Sequence, residues 1–129
     1  MKKFTKMCAV AACALFAGTA TVSAEDYVWK SVTTGDATTY GIRSDGSLWS
    51  WGWNEEGQSG NGVSERTATP TLADGNRVWK KVVGGKSYGF FLAEDGSLWA
   101  AGTATNGVQG TNDGVDHKVL TRIGTDNDW

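Results

Sequence analysis

His117 is the only histidine in the chain, and both cysteines, Cys8 and Cys13, lie in its first segment. Nucleophilic catalysis of the Ser-His-Asp kind would have to pass through His117. That residue sits in a polar stretch without the sharp turn that exposes such a serine. Zinc needs three or four His, Cys or carboxylate ligands, more than one histidine makes easy. Asn112, Asp113 and Asp116 gather oxygens around Gly114, the ligand type that calcium prefers, and Asp126 and Asp128 follow. Their spacing matches no EF-hand loop, and Asn or Asp beside Gly is equally ordinary turn chemistry. Glu55 and Glu56 are adjacent, so in an extended segment their side chains diverge and do not form a glycosidase acid/base pair. Gly84-Gly85 lacks the Lys-Ser/Thr ending and the helix of a phosphate-binding loop. The expectation is a non-enzyme with no catalytic, cofactor or metal residue. The candidate binding residue is Trp53, at the start of a glycine-rich loop. Its indole could carry a sugar or a partner, or simply pack on its own loop.

Those residues hang on a repeated frame. Trp29, Trp79 and Trp129 are 50 residues apart. Lys30 and Lys80, Val32 and Val82, Gly35 and Gly85, and Gly52 and Gly102 keep the same spacing. So do the pentapeptides Asp45-Gly46-Ser47-Leu48-Trp49 and Asp95-Gly96-Ser97-Leu98-Trp99. Trp53 stands outside the repeat, because Thr103 takes its place in the second copy. A period of this length marks an architecture in which one unit cannot bury its own apolar face.

Residues 1–24 read as a secretory signal peptide. Lys2, Lys3 and Lys6 make a basic head, Met7 to Ala17 an apolar run too short to span a bilayer comfortably, and Val22-Ser23-Ala24 a small-residue cleavage signal. Cutting after Ala24 removes both cysteines, so the mature chain holds no disulfide although its compartment, outside the cell or in the periplasm, is oxidising. Three of 12 basic residues leave and all 14 acidic ones stay, so nine against fourteen gives a formal charge of −5. That sign argues against nucleic acid, and no basic cluster suits a membrane surface or stable insertion after cleavage.

Residues 25–129 are one domain's length and all-β in pattern. In the first copy, Val28 to Val32, Thr38 to Ser44 and Ser47 to Gly52 read as strands, with Pro70 to Ala73 a short edge strand. Alternation sets Val28 and Val32 on one face of the first strand with Trp29 on the other. Likewise Leu48 opposes Trp49 and Trp51. Asp45-Gly46 and Asp95-Gly96 read as two-residue type I′ hairpin loops, with positive φ at both positions. In the second copy the strands are Val78 to Val82, Ser87 to Glu94, Ser97 to Gly102 and Val119 to Ile123. This divides the chain into four-stranded blades at about 25–74 and 75–124, with the start of a third at 125–129. The tryptophans are expected to cement neighbouring sheets, each burying roughly 150–250 Å².

The motif also resembles the regulator of chromosome condensation repeat. The first copy matches it at Trp29, Val32, Gly35, Asp45-Gly46, Leu48-Trp49, Trp51-Gly52, Asn54, Gly57-Gln58, Gly60, Arg66 and Pro70. The second matches at Trp79, Val82, Gly85, Asp95-Gly96, Leu98-Trp99 and Gly102. It departs at Ala101, Ala104 and Leu120, and at Val108-Gln109 the Gln is slipped by one. Thr38 and Tyr88 stand where the family usually has His. The resemblance implies an exported, bacterial-type member with about two blades of an incomplete β-propeller ring. The function it implies is a protein-protein interaction scaffold; the excess of tryptophan and the acidic charge suggest the alternative, a lectin-like carbohydrate-binding module. Two stacked blades leave two flat faces open, so the partner is an unknown protein or a further copy completing a propeller. Symmetric closure then needs an even number of blades, such as six from three chains.

Overall fold

A computed structural model describes residues 27–129, and the leader with its cut after Ala24 lies outside the described residues. Eight strands form two antiparallel meanders. The first blade holds β1 (Trp29–Thr34), β2 (Thr38–Arg43), β3 (Leu48–Gly52) and β4 (Thr67–Asp74). The second holds β5 (Trp79–Gly84), β6 (Tyr88–Ala93), β7 (Leu98–Gly102) and β8 (His117–Ile123). A one-turn 3₁₀ segment, Thr105–Gly107, interrupts the loop after β7. Among the described residues no helix is long and apolar enough to cross a membrane.

The blades stack face to face, with β5 lying across β1 and β2. Tyr40, Ile42 and Leu48 from the first blade meet Trp79, Val82, Phe91, Ala93 and Ala101 from the second. Phe91 stands edge-on to Tyr40 at 5.5 Å between ring centroids and to Trp79 at 6.0 Å. One tryptophan therefore cements the sheets as expected: Trp79 is 0 % exposed. Trp29 at 39 % and Trp129 at 55 % lie on outer surfaces.

Strict alternation fails in β1 and β5. A bulge between Trp29 and Ser31 places Trp29 opposite Arg43 and Val32 opposite Gly41, so Trp29 and Val32 share a face. The same bulge between Trp79 and Lys81 turns Trp79 and Val82 together into the core and leaves Val83 half exposed. Spacing of three residues, incompatible with a flat strand, becomes compatible once one residue is bulged out.

The hairpins also differ from the type I′ expectation. The Gly46 N–H donates to the Arg43 carbonyl at 2.9 Å and the Arg43 N–H to the Ser47 carbonyl at 3.1 Å. Only Gly46, at φ +85°, is left-handed. The loop is thus three residues, Ser44-Asp45-Gly46, with the glycine forming the bulge that closes it. Ala93, Gly96 and Ser97 repeat this arrangement, with Gly96 at φ +82°. Asp45 is spared a left-handed backbone and uses its side chain instead.

β4 is eight residues, longer than the edge strand expected at Pro70 to Ala73, and β8 likewise starts at His117. Bulges in their pairing with β3 and β7 let each begin opposite a glycine, Gly52 or Gly102. Pro70 is accommodated because β4 is an outer strand, paired only with β3.

Backbone hydrogen bonds stitch the blades together. The Trp79 N–H donates to the Gly46 carbonyl at 2.9 Å, and the Asp36 N–H to the Gly85 carbonyl at 3.2 Å. On the outer side the Gly62 N–H donates to the Lys118 carbonyl at 2.7 Å, and the Leu120 N–H to the Gly60 carbonyl at 3.1 Å. The loop after β3 therefore caps the edge of β8 and hides part of its unpaired backbone.

Candidate functional site

The repeated pentapeptide is a polar relay wrapped around an apolar residue. The Trp49 indole Nε1–H donates to Ser47 Oγ at 2.8 Å, and the Ser47 hydroxyl donates to Asp45 Oδ1 at 2.6 Å. Asp45 Oδ1 also accepts the Ser47 backbone N–H at 3.0 Å. Asp95, Ser97 and Trp99 reproduce all three bonds at 2.8, 2.6 and 2.9 Å. Burial pushes the Asp45 carboxyl up, but the Ser47 hydroxyl and N–H, with Arg43 nearby, hold it below the usual aspartate range. The Ser97 hydroxyl and N–H lower Asp95 in the same way. These carboxylates are bound to their own hairpins and present no reactive pair.

Arginine covers the relay tryptophans from different places, the end of β2 in the first blade and the turn between β4 and β5 in the second. In the first blade the Arg43 guanidinium sits 3.6 Å from the Trp49 ring centroid and 4.9 Å from that of Trp29. In the second blade Ala93 occupies the equivalent position, and Arg77 covers Trp99 at 4.0 Å instead. Arg77 Nη1 lies 3.4 Å from Asp74 Oδ1, while Asp74 Oδ2 accepts the buried Trp79 Nε1–H at 3.0 Å. The Arg43 placement escaped the sequence reading; its signal was the arginine-for-alanine difference between copies.

The divergent chemistry sits in the long loops. Trp53 is half-buried. Its Nε1–H donates to Glu56 Oε2 at 3.0 Å, and Arg66 lies 4.5 Å above its ring. Arg66 Nη2 also pairs with Glu55 Oε1 at 3.2 Å. Adjacent Glu55 and Glu56 thus serve different partners, although they lie in a turn and not in an extended segment. Asn54, fully buried, organises the loop: Oδ1 accepts the Ser59 N–H at 2.8 Å and Nδ2 donates to the Val63 carbonyl at 3.0 Å.

In the second loop Ala104 replaces that asparagine, and Asp116 reaches back in its stead. Its Oδ1 accepts the Ala104 N–H at 2.7 Å and the Thr103 hydroxyl at 3.2 Å. Asp113 holds a different part of the loop. Its Oδ1 accepts the Thr111 hydroxyl at 2.7 Å and the Val115 N–H at 3.1 Å, and its Oδ2 lies 3.0 Å from His117 Nε2. The Thr111 hydroxyl foremost, then the Val115 N–H and His117, hold its carboxyl below the usual range. The calcium arrangement raised for Asn112, Asp113 and Asp116 does not form, because Asp113 is committed to its own turn and Asp116 to Ala104 and Thr103 across the loop. Among the described residues no three His, Cys, Asp or Glu side chains gather to hold a metal.

Two concavities lie elsewhere. A shallow groove of about 240 Å³ runs along the outer face of the second blade, lined by Lys81, Val83, Phe90, Leu92, Leu98 and Trp129. Another is bordered by Arg77, Val78, Glu94 and Asp95. Neither is lined by Trp53.

Residues 29–58 and 45–92 match two family models of the regulator of chromosome condensation (RCC1) repeat. Over 34 residues the chain is 50% identical to the human protein RCC2, covering 26% of this chain and 6% of that one. The crystal structure of human WBSCR16 superposes with a TM-score of 0.69 at 21% identity, over 79% of this chain and 27% of that chain. Prp20p from Saccharomyces cerevisiae, described with its binding properties to Gsp1p and histones, gives 0.64 at 21% identity, over 74% and 26%. The chain thus spans about a quarter of the solved proteins it superposes on and a smaller share of RCC2. Repeat sequence, meander order and the blade-to-blade packing agree: this chain is an RCC1-type repeat protein built of β-propeller blades.

Proposed function

We propose that the chain is an exported, non-enzymatic scaffold that holds another protein through its two long loops, residues 53–66 and 103–116. The carrying observation is where the copies agree and differ. The hairpin relays repeat bond for bond. The loops share almost no side-chain chemistry, one built on Trp53, Arg66 and Asn54, the other on Asp113, Asp116 and His117. A rigid frame with divergent loops is how repeat proteins carry recognition. Export rests on the basic head, apolar run and small-residue cleavage signal of residues 1–24.

The test is site-specific photo-crosslinking in the producing cell. A photoreactive residue at Val63 or Val115, both exposed loop positions, is expected to give one discrete adduct outside the cytoplasm. The same probe at Leu72, exposed on the outer strand, should give none. The recovered protein should begin at Glu25. An unlinked protein at both loops, or one retaining residues 1–24 in the cytoplasm, defeats the reading.

The lectin alternative requires an open indole. Arg66 covers one face of Trp53 and Glu56 takes its N–H, which favours the protein partner. Tryptophan fluorescence titrated with cell-wall sugars discriminates: quenching that disappears in Trp53→Ala would establish the sugar reading instead.

A further inference from the structure

We infer that Trp53 and Glu55 form a recognition site for an arginine side chain of the partner protein, and that Arg66 fills it in cis as a replaceable stand-in. The platform is fixed. The Trp53 N–H donates to the Ala37 carbonyl at 2.8 Å, its carbonyl accepts the Thr38 hydroxyl at 2.5 Å, and its indole N–H donates to Glu56 at 3.0 Å. Thr38 is buried at the start of β2, so the indole is tied to the sheet from behind. The cover is loose by comparison. Arg66 lies 4.5 Å above the ring and meets Glu55 at 3.2 Å, Nη2 to Oε1, with side chains 64 % and 49 % exposed. An exposed ion pair and an exposed cation–π contact are both weak. Asn54 Nδ2 holds the neighbouring Glu65 carbonyl at 3.4 Å, so uncovering the indole takes a rotation of the Arg66 side chain and no movement of the loop backbone.

The present occupant states the chemistry. A guanidinium stacks on an indole face while its N–H groups meet a carboxylate, and no neutral group satisfies both halves of such a site. The frame does not need this cluster. Thr103, Thr105, Asn106 and Asp116 stand at the positions of Trp53, Glu55, Glu56 and Arg66 in the second copy. That loop closes instead through Asp116 on the Ala104 N–H. A partner arginine repeats the two contacts of Arg66 and adds those of its own surroundings, so the exchange favours the partner. Arg66 meanwhile keeps the indole covered until that partner arrives. The inference rests on the loop-binding reading and names what the first loop recognises.

The test is nuclear magnetic resonance of the purified chain, with hexa-arginine as the probe and hexa-citrulline as its neutral control. The readout is the Trp53 indole N–H signal, identified by its loss in Trp53→Phe. Hexa-arginine is expected to shift that signal and hexa-citrulline to leave it in place. Arg66→Ala removes the competitor and should lower the half-shift concentration roughly fivefold. Glu55→Gln, placed in the Arg66→Ala background, should undo that gain. Both positions are exposed, so circular dichroism should be unchanged in either variant. An unmoved signal, equal shifts with the two peptides, or weaker binding in Arg66→Ala overturns the inference. Crosslinking separates it from the reading it rests on. An adduct at Val63 together with an unmoved indole signal keeps the loop reading and removes the arginine site. No adduct at either loop overturns the loop reading and the partner arginine with it.

Discussion

The Trp79 N–H donates to the Gly46 carbonyl at 2.9 Å, so the glycine of one hairpin holds the first residue of the next blade. Gly46 can do this because it lacks a side chain. A Cβ there would lie 2.6 Å from Val78 Cγ1, and the backbone is left-handed at φ +85°. Turn chemistry and blade docking thus act on one residue.

Gly46→Ala is therefore expected to destabilise by about 1–3 kcal/mol, from left-handed strain and the push on Val78. Gly75→Ala is the control. Its nearest neighbour would be Leu72 Cδ2 at 3.6 Å and its φ is not left-handed, so the change should lie within about 0.5–1 kcal/mol of neutral. Urea unfolding of both measures the difference; equal midpoints would refute the role given to Gly46.

Sequence logic reached the meander order and the faces of Leu48, Trp49 and Trp51, because alternation there is undisturbed. It misplaced Trp29 relative to Val32, since a bulge at position 30 leaves no local signature. It also gave Asp45 a left-handed backbone. Asp-Gly suits both the two-residue loop and the three-residue loop, and the Asp45–Ser47–Trp49 relay decides between them. Trp53 was singled out by its absence from the repeat, but Arg66 above its ring is thirteen residues away and only folding unites them. The oxygens of Asp113 and Asp116 were near in sequence, yet loop geometry sends them to Val115 and Ala104.

Trp79 and Trp29 occupy equivalent strand positions and should respond unequally. Trp79→Phe deletes buried volume and leaves Asp74 Oδ2 without the indole N–H, a loss of about 2–4 kcal/mol. Trp29→Phe on a partly exposed face should cost about 1 kcal/mol or less. Urea denaturation of the two variants compares them. Similar losses would mean that Trp29 is covered in solution.

Acid should weaken the blades through the relay. Asp45 and Asp95 both titrate lower in the folded chain than when unfolded. A depressed carboxyl contributes stability above the unfolded value near 3.9, and that contribution is lost as pH falls through the lower folded value. Stability is expected to decline below about pH 4. Ser47→Ala with Ser97→Ala, which removes the hydroxyl donors to these carboxylates, should flatten that decline. Melting temperatures from pH 6 down to pH 2.5 test it; an unchanged slope in the double variant refutes the assignment.

Asp116 and Ala104 offer a compensation that can be run backwards. In the first loop Asn54 ties its own segment together from within, accepting the Ser59 N–H. In the second, the asparagine is missing and Asp116 caps the Ala104 N–H from across the loop. Asp116→Ala should therefore cost about 1–2 kcal/mol, chiefly by leaving a partly buried N–H unpaired. Ala104→Asn alone crowds a site already closed by Asp116 and should be neutral or mildly destabilising. Placed in the Asp116→Ala background, it can reach the Gln109 N–H, the counterpart of Ser59, and restore a local tie. The double-mutant cycle should then show a favourable coupling of about 0.5–1 kcal/mol. Additive losses would mean that Asp116 acts on the loop in some way other than replacing the absent asparagine.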